Sequence, residues 1–345
     1  MHCGRGNTCP VAAGHTSFGL DDAKNGSAVD RLVFLCCVGP PSVYTHNLEN
    51  LFGIHTSSDK YTEQALRAGA LSDDVSAVAL VYNSGSTFAK STCAAARKYV
   101  QTFMGRDPVL EVAYSAAPGE AVNATVFAQF VGDAARLGAE MVVGCTLGDD
   151  GVMLAQALET ARFPSKARAA VHAAPTPASL APLTRSAHPP PRPARPQATF
   201  ITVAPATSSI VARAGVNASR YLLTAVQWHP SMGGASSDLY TDNFFGNASA
   251  YAQAFEAFAL AQGTPVNASY LAAGPSAAAY ALQLGISSAC YDCQLGAGAA
   301  SARALLFGEG VIVCADGQNE GYKRVLTAVR NLRASSFFGP IAFDQ

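Results

Sequence analysis

An α/β fold with parallel sheets flanked by helices is what this sequence predicts, and three observations carry the prediction. Short apolar runs alternate with helical patterns of roughly 10 to 15 residues along most of the chain. Those runs are continuously apolar rather than alternating apolar and polar, as expected of strands buried on both faces. The chain has 345 residues, 49% of them apolar, enough for one large or two mid-sized domains with complete cores.

Residues 33–38 form an apolar run that breaks at Gly39-Pro40-Pro41-Ser42, a buried strand opening into a loop. A second short strand covers 51–55, and a helical pattern runs from Ser58 through Leu66. The third strand, 76–82, leads through the polar turn Asn83-Ser-Gly-Ser-Thr87 into a helix ending near Phe103. Strand 109–114, helix 125–137, strand 140–145, helix 150–161 and strand 200–203 continue the alternation. An apolar strand over 221–230 ends in Trp228-His229-Pro230. Two Ala-rich helical runs follow, 250–263 and 272–284, and the chain closes on Phe337-Phe-Gly-Pro-Ile-Ala-Phe-Asp344. Ligands of such sheets bind outside the carboxyl ends of the strands. The loops to watch are therefore 39–44, 83–88, 146–151, 205–209 and 228–231.

One segment breaks the pattern. Residues 174–198 hold eight prolines, and no acidic residue occurs between Glu159 and Asp238. Proline lacks a backbone donor and stiffens the chain toward polyproline II, so 174–198 is expected to be an exposed, disordered insertion.

Composition excludes several functions. The formal net charge is −1 and only 14% of residues are charged, which leaves no electrostatic footprint for nucleic acid. No apolar run reaches eighteen residues, and the first thirty carry no secretory-signal pattern. Against this, five N-glycosylation sequons occur, at Asn25, Asn123, Asn217, Asn247 and Asn267. With 12 asparagines and roughly one residue in seven being Ser or Thr, chance gives about two. The excess points to an extracellular or lumenal domain.

Nine cysteines are an odd number, so at least one stays unpaired. Cys36 and Cys145 lie in strand-like segments and read as small buried hydrophobes. Cys290-Tyr-Asp-Cys293 lacks a second pair and a nearby His, so it reads as a local disulfide or as loop cysteines rather than a metal site. No cofactor and no metal are expected. The elbow of α/β-hydrolases, the zinc-protease pair and the phosphate-binding loop are all missing from the sequence.

The ordered segments from Leu32 to about Arg168, with 221–230 and 337–344, resemble the type I periplasmic-binding-protein-like family, which includes receptor-family ligand-binding regions and branched-chain amino acid or amide binding proteins. Phe52-Gly-Ile-His55 is similar to the first crossing between lobes. Val78-Ala-Leu-Val-Tyr-Asn-Ser-Gly-Ser-Thr-Phe88 is similar to the family's strand, polar turn and aromatic before a helix. Thr224 to Pro230 is similar to the return crossing, and Phe338-Gly-Pro-Ile-Ala-Phe-Asp344 to the third. The resemblance implies a two-lobed fold, each lobe a parallel sheet flanked by helices. Residues 1–57 and 229–334 would form the first lobe, and 58–228 with 335–345 the second. About a hundred opening residues of the family have no counterpart here, so the first lobe is expected to be incomplete and the chain a fragment.

By the same resemblance the chain is a non-enzymatic, extracellular ligand-binding domain closing around a small polar ligand such as an amino acid or amide. The contact residues carried over are Gly39, Pro41, Ser42, Phe88, Thr146, Asp149, Pro205 and Thr207, with hinges at His55, Trp228 and Gly339. The family's usual aromatic at Phe88 is Tyr, so a hydroxyl is lost there. Partners implied are the small ligand, a transmembrane and signalling region outside this chain, and a second copy in a homodimer. Two alternatives compete: a non-binding receptor-like spacer, and an α/β hydrolytic enzyme.

Overall fold

A computed structural model describes residues 32–35, 41–46, 48–72, 75–116, 122–146, 148–163, 198–201, 208–219, 222–232, 240–289 and 318–343. The chain divides into two compact units, 1–57 with 226–345 and 58–225.

The second unit is built on five parallel strands: β3 (Val78–Asn83), β4 (Leu110–Tyr114), β5 (Met141–Cys145), β6 (Ala198–Ile201) and β7 (Leu222–Leu223), in the order β4-β3-β5-β6-β7. The register is Val81 to Val112 across β3–β4 and Val81 to Gly144 across β3–β5. Helices α1 (Glu63–Ser72), α2 (Thr87–Met104), α3 (Ala124–Arg136), α4 (Gly148–Thr160), α5 (Ser208–Ala214) and α6 (Val216–Ser219) cover both faces.

Side-chain alternation along each strand assigns the faces. Val78 and Leu80 of β3, with Met141, Val143 and Cys145 of β5, pack under α1 and α2 against Leu66, Ala89, Cys93, Ala96 and Val100. Ala79, Val81 and Val142 turn the other way, toward Phe127, Phe130 and Val131 of α3 and Leu154 and Ala155 of α4. Because both faces are covered, β5 is buried at every position, which is why it reads as an unbroken apolar run. Helix α2 starts on Ser86, whose hydroxyl accepts from the Ala89 amide, and stops at Gly105 in the left-handed conformation.

In the first unit β1 (Val33–Leu35) pairs in parallel with β2 (Leu51–Gly53). Two short antiparallel pairs accompany it, β8 (Thr241–Asp242) with β9 (Gly246–Asn247), and β10 (Arg333–Ala334) with β11 (Ile341–Ala342). Helices α7 (Ala248–Ala261), α8 (Tyr270–Ala289) and α9 (Gln318–Arg330) complete it. Phe34, Phe52 and Phe343 form an aromatic triad, ring centroids 5.0 to 6.2 Å apart, beside Ala278, Ala281, Leu326 and Val329. A second aromatic group joins Trp228, Phe245, Tyr251 and Phe337, with Tyr251 stacked on Phe337 at 4.0 Å.

Three expectations change. Residues 335–343 belong with the first unit, not the second: β11 pairs with β10 and Phe343 fills the Phe34–Phe52 core. The strand read over 221–230 shrinks to Leu222–Leu223, because beyond them the chain leaves the sheet edge toward the buried Trp228. Cys145 is buried as expected, yet it is bonded to Cys93 across 52 residues of sequence. Of the proline-rich stretch 174–198, only Ala198, which opens β6, lies within the described residues.

Candidate functional site

The strand order places a topological switch at β3 and β5. From β3 the chain moves outward to β4, then returns past β3 to β5 and continues the other way to β6. Loops leaving β3 and β5 therefore diverge to opposite faces, and the crevice between their carboxyl ends is where ligands of open α/β sheets sit. Phe88 lies in the first turn of α2, just after the first loop, and Thr146 follows β5 in the second.

The loop after β3 is fixed by its own polar side chains. Asn83 Oδ1 accepts from the Gly85 amide at 2.8 Å and from the Ala116 amide at 3.4 Å. The Ser84 amide and hydroxyl both donate to the Tyr114 carbonyl, at 2.7 and 2.8 Å. Position 85 needs glycine because a Cβ there would stand 2.7 Å from the Ala116 carbonyl oxygen. Phe88 follows, half-buried, with its ring edge-on to Tyr61 at 5.4 Å. Its carbonyl accepts from the hydroxyls of Ser91 and Thr92, and Ser91 contacts the Ser58 hydroxyl at 2.6 Å.

Across the switch point, Thr146 is fully buried at the end of β5. The two acidic residues that begin α4 diverge. Asp149 is exposed and ion-paired to Arg213 at 2.7 Å. Asp150 turns inward, accepting from the Tyr114 hydroxyl at 2.6 Å and from Asn83 Nδ2 at 3.5 Å. Burial and the neighbouring Asp150 carboxylate push the Tyr114 hydroxyl far above its ordinary pKa, so Tyr114 is a fixed donor. Tyr114, Asp150, Asn83 and Ser84 were not among the residues singled out from sequence. Their signal was position at the carboxyl edge: Asn83 and Tyr114 end strands, Ser84 follows β3, and Asp150 is in the first turn of α4.

In the first unit, Pro41 and Ser42 lie in a 3-10 helix, 41–46, that follows β1. Gly39, Pro205 and Thr207 lie outside the described residues, as do Asn25 and the Cys290/Cys293 pair. The hinge candidates are all interior. His55 is buried, stacked on Phe338 at 5.8 Å with interplanar angle 6° and tilted against Tyr270. Burial lowers its pKa to about 4, opposed by its hydrogen bond to the Tyr270 backbone. Trp228 donates from Nε1 to the Phe337 carbonyl at 3.0 Å. Gly339 has φ +123° and closes a turn with Ser336 through amide–carbonyl bonds in both directions, 2.9 and 3.1 Å. The buried Asp242 carboxylate ties this region together, accepting from the amides of Phe244, Phe245 and Phe337 at 2.6 to 2.9 Å.

The sequon residues Asn123, Asn217, Asn247 and Asn267 are all exposed. Among the described residues no group of three His, Cys, Asp or Glu could hold a metal ion, and no helix is long and apolar enough to cross a membrane.

No family model and no curated protein sequence matches the chain. Solved structures do. An extracellular ligand-binding receptor from Rhodopseudomonas palustris HaA2 aligns with TM-score 0.62 and 12% identity, over 96% of this chain and 74% of that one. The branched-chain amino acid transporter substrate-binding protein LivJ from Streptococcus pneumoniae, in complex with isoleucine, gives 0.61 and 9%, over 97% and 71%. A solute-binding protein of an ABC transporter from R. palustris, in complex with benzoate, gives 0.60 and 11%, over 97% and 69%. At these identities the likeness is one of fold: the chain has the α/β fold of the type I periplasmic binding proteins.

Proposed function

We propose that this chain is a small-molecule-binding domain, extracellular or lumenal, of a receptor or solute-binding protein. The observation that carries the reading is the polar, ordered carboxyl edge at the β3/β5 switch point, in a fold whose matched structures include isoleucine- and benzoate-bound proteins. Those two ligands share a carboxylate on an apolar body, and a compound of that kind is the ligand class proposed here. Phe88 and Thr146 are the contact residues of the second unit, and Pro41 and Ser42 those of the first, with Gly39, Pro205 and Thr207 completing the set. Asp149, ion-paired to Arg213, stays in the set. Hinge closure at the crossings near His55 and Trp228 completes the reading, while Gly339, in the turn between β10 and β11, drops out of the hinge set. A membrane-spanning and signalling region outside this chain and a homodimer belong to its receptor form. The buried Cys93–Cys145 disulfide supports an oxidising compartment.

The test is thermal unfolding of the full chain against isoleucine, leucine, aliphatic amides and benzoate. A ligand at a hundredfold excess over Kd stabilises by about 2.7 kcal/mol. One observation favours the spacer reading: Asn83, Tyr114 and Asp150 already satisfy one another. That reading predicts no stabilisation by any of these compounds. Turnover of an ester or amide would instead support the enzyme.

A further inference from the structure

Helix α7 (Ala248–Ala261) presents an unusual surface. One side is buried, with Tyr251 stacked on Phe337 and its hydroxyl donating to the Ala272 carbonyl at 3.1 Å. The other side faces water with Ala250, Ala254, Ala257, Phe258, Leu260 and Ala261. Phe258 is 60% exposed and Leu260 66%, and Val266 just beyond the helix is 50% exposed. The only charged residue of α7 is Glu256, which accepts from the Ala268 amide at 3.1 Å and so holds the following segment alongside the helix. An apolar helix face of this kind is normally covered.

One sequon stands at the start of this helix and another lies alongside it. Asn247-Ala-Ser249 is the N-cap of α7, with Asn247 Oδ1 accepting from the Ala250 amide at 2.8 Å. Asn267-Ala-Ser269 lies in the segment that Glu256 holds against the helix. Both asparagines are exposed. Helix capping explains an Asn at 247 without any glycan. It does not explain Ser two residues later, and although Ser269 stands at the N-cap position of α8, its carbonyl accepting from the Ala272 and Ala273 amides, capping does not explain the Asn at 267.

We propose that Asn247 and Asn267 are N-glycosylated and that the two glycans cover the exposed apolar face of α7. The inference rests on the extracellular or lumenal reading and on no particular ligand. In the modification, Nδ2 attacks the anomeric carbon of a lipid-pyrophosphate-linked oligosaccharide. The new C–N bond forms as the C–O bond to pyrophosphate breaks, Nδ2 loses one proton, and lipid pyrophosphate leaves. Oδ1 of Asn247 keeps its capping bond, because the modification is at nitrogen.

The test is to direct the full chain through the secretory pathway of a eukaryotic cell and to weigh the secreted protein before and after glycosidase treatment. The variants are Ser249→Ala and Asn267→Gln, which destroy the sequons while Asn247 still caps α7 and Ser269 keeps the N-cap position of α8. Each is expected to lose one glycan, and the double variant two. The secreted double variant is further expected to self-associate and to bind an apolar fluorescent dye several-fold more than the parent. Secreted variants that release as much glycan mass as the parent overturn the proposal. A double variant that loses two glycans yet stays monomeric and dye-silent overturns the covering role. Thermal shifts with isoleucine or benzoate, measured on the same glycosylated protein, report separately on the binding reading.

Discussion

Cys93, little more than one helical turn beyond Phe88, is joined by a disulfide to Cys145, the residue before Thr146. The bond therefore clamps helix α2 to strand β5 on the two sides of the switch point, with Cα atoms 5.7 Å apart. Both sulfurs are buried between the sheet and the helix layer.

Removing this clamp should destabilise the second unit. Closing a loop of 52 residues is worth about 4 kcal/mol by chain entropy. The double variant C93A/C145A is expected to lose roughly that amount in denaturant unfolding. Peptide mass mapping of the unreduced parent should show the Cys93 and Cys145 peptides joined, two hydrogens lighter than their reduced sum.

The Tyr114–Asp150 hydrogen bond holds the start of α4 to the end of β4. Replacing Tyr114 by Phe removes a bond to a charged acceptor, a loss of about 1.5 to 3 kcal/mol. Chemical denaturation of Y114F checks this. A change within a few tenths of a kcal/mol would mean that the pair contributes nothing.

Asp242 should be among the most sensitive positions of the first unit. Its substitution by Ala strips acceptors from three backbone amides, one of them buried beside Phe337. A cost of about 3 kcal/mol or more is expected in urea unfolding, with loss of the near-ultraviolet signal of the Trp228–Tyr251–Phe337 cluster.

His55 gives the first unit an acid sensitivity. Its folded pKa is about 4, below the unfolded value near 6.5, so between these two values the unfolded chain binds more protons. Stability is therefore fully present above about pH 6.5 and is lost as pH falls toward 4, by about 3 kcal/mol in all. Unfolding free energies measured from pH 4 to 7 on the parent and on H55Q check this. The parent-minus-variant difference should rise with pH across the window, and a flat difference would contradict the assignment.

How far the sequence carries can be judged residue by residue. Strands β3 and β5 were legible because both faces are covered and every position but the terminal Asn83 of β3 is apolar. Parity along β5 also puts Cys145 on the α2 face, yet its partner 52 residues away follows no spacing rule, so the disulfide was not legible. Asp149 came from the family resemblance, which does not say how the two carboxylates at the start of α4 divide between faces. At about 100° per residue on a helix, neighbouring positions face different ways, and that difference decides which carboxylate turns inward. The last segment was assigned to the wrong unit because nothing local in Phe337–Phe343 distinguishes a crossing strand from one that folds back on β10.

The most direct measurement is a calorimetric titration of the purified full chain with isoleucine and with benzoate, repeated on F88A. Saturable one-to-one binding of a small carboxylate is expected, weakened at least tenfold in F88A while that variant remains folded. No heat with either compound, together with no thermal stabilisation by any amino acid, amide or aromatic acid, would contradict it and leave the spacer reading.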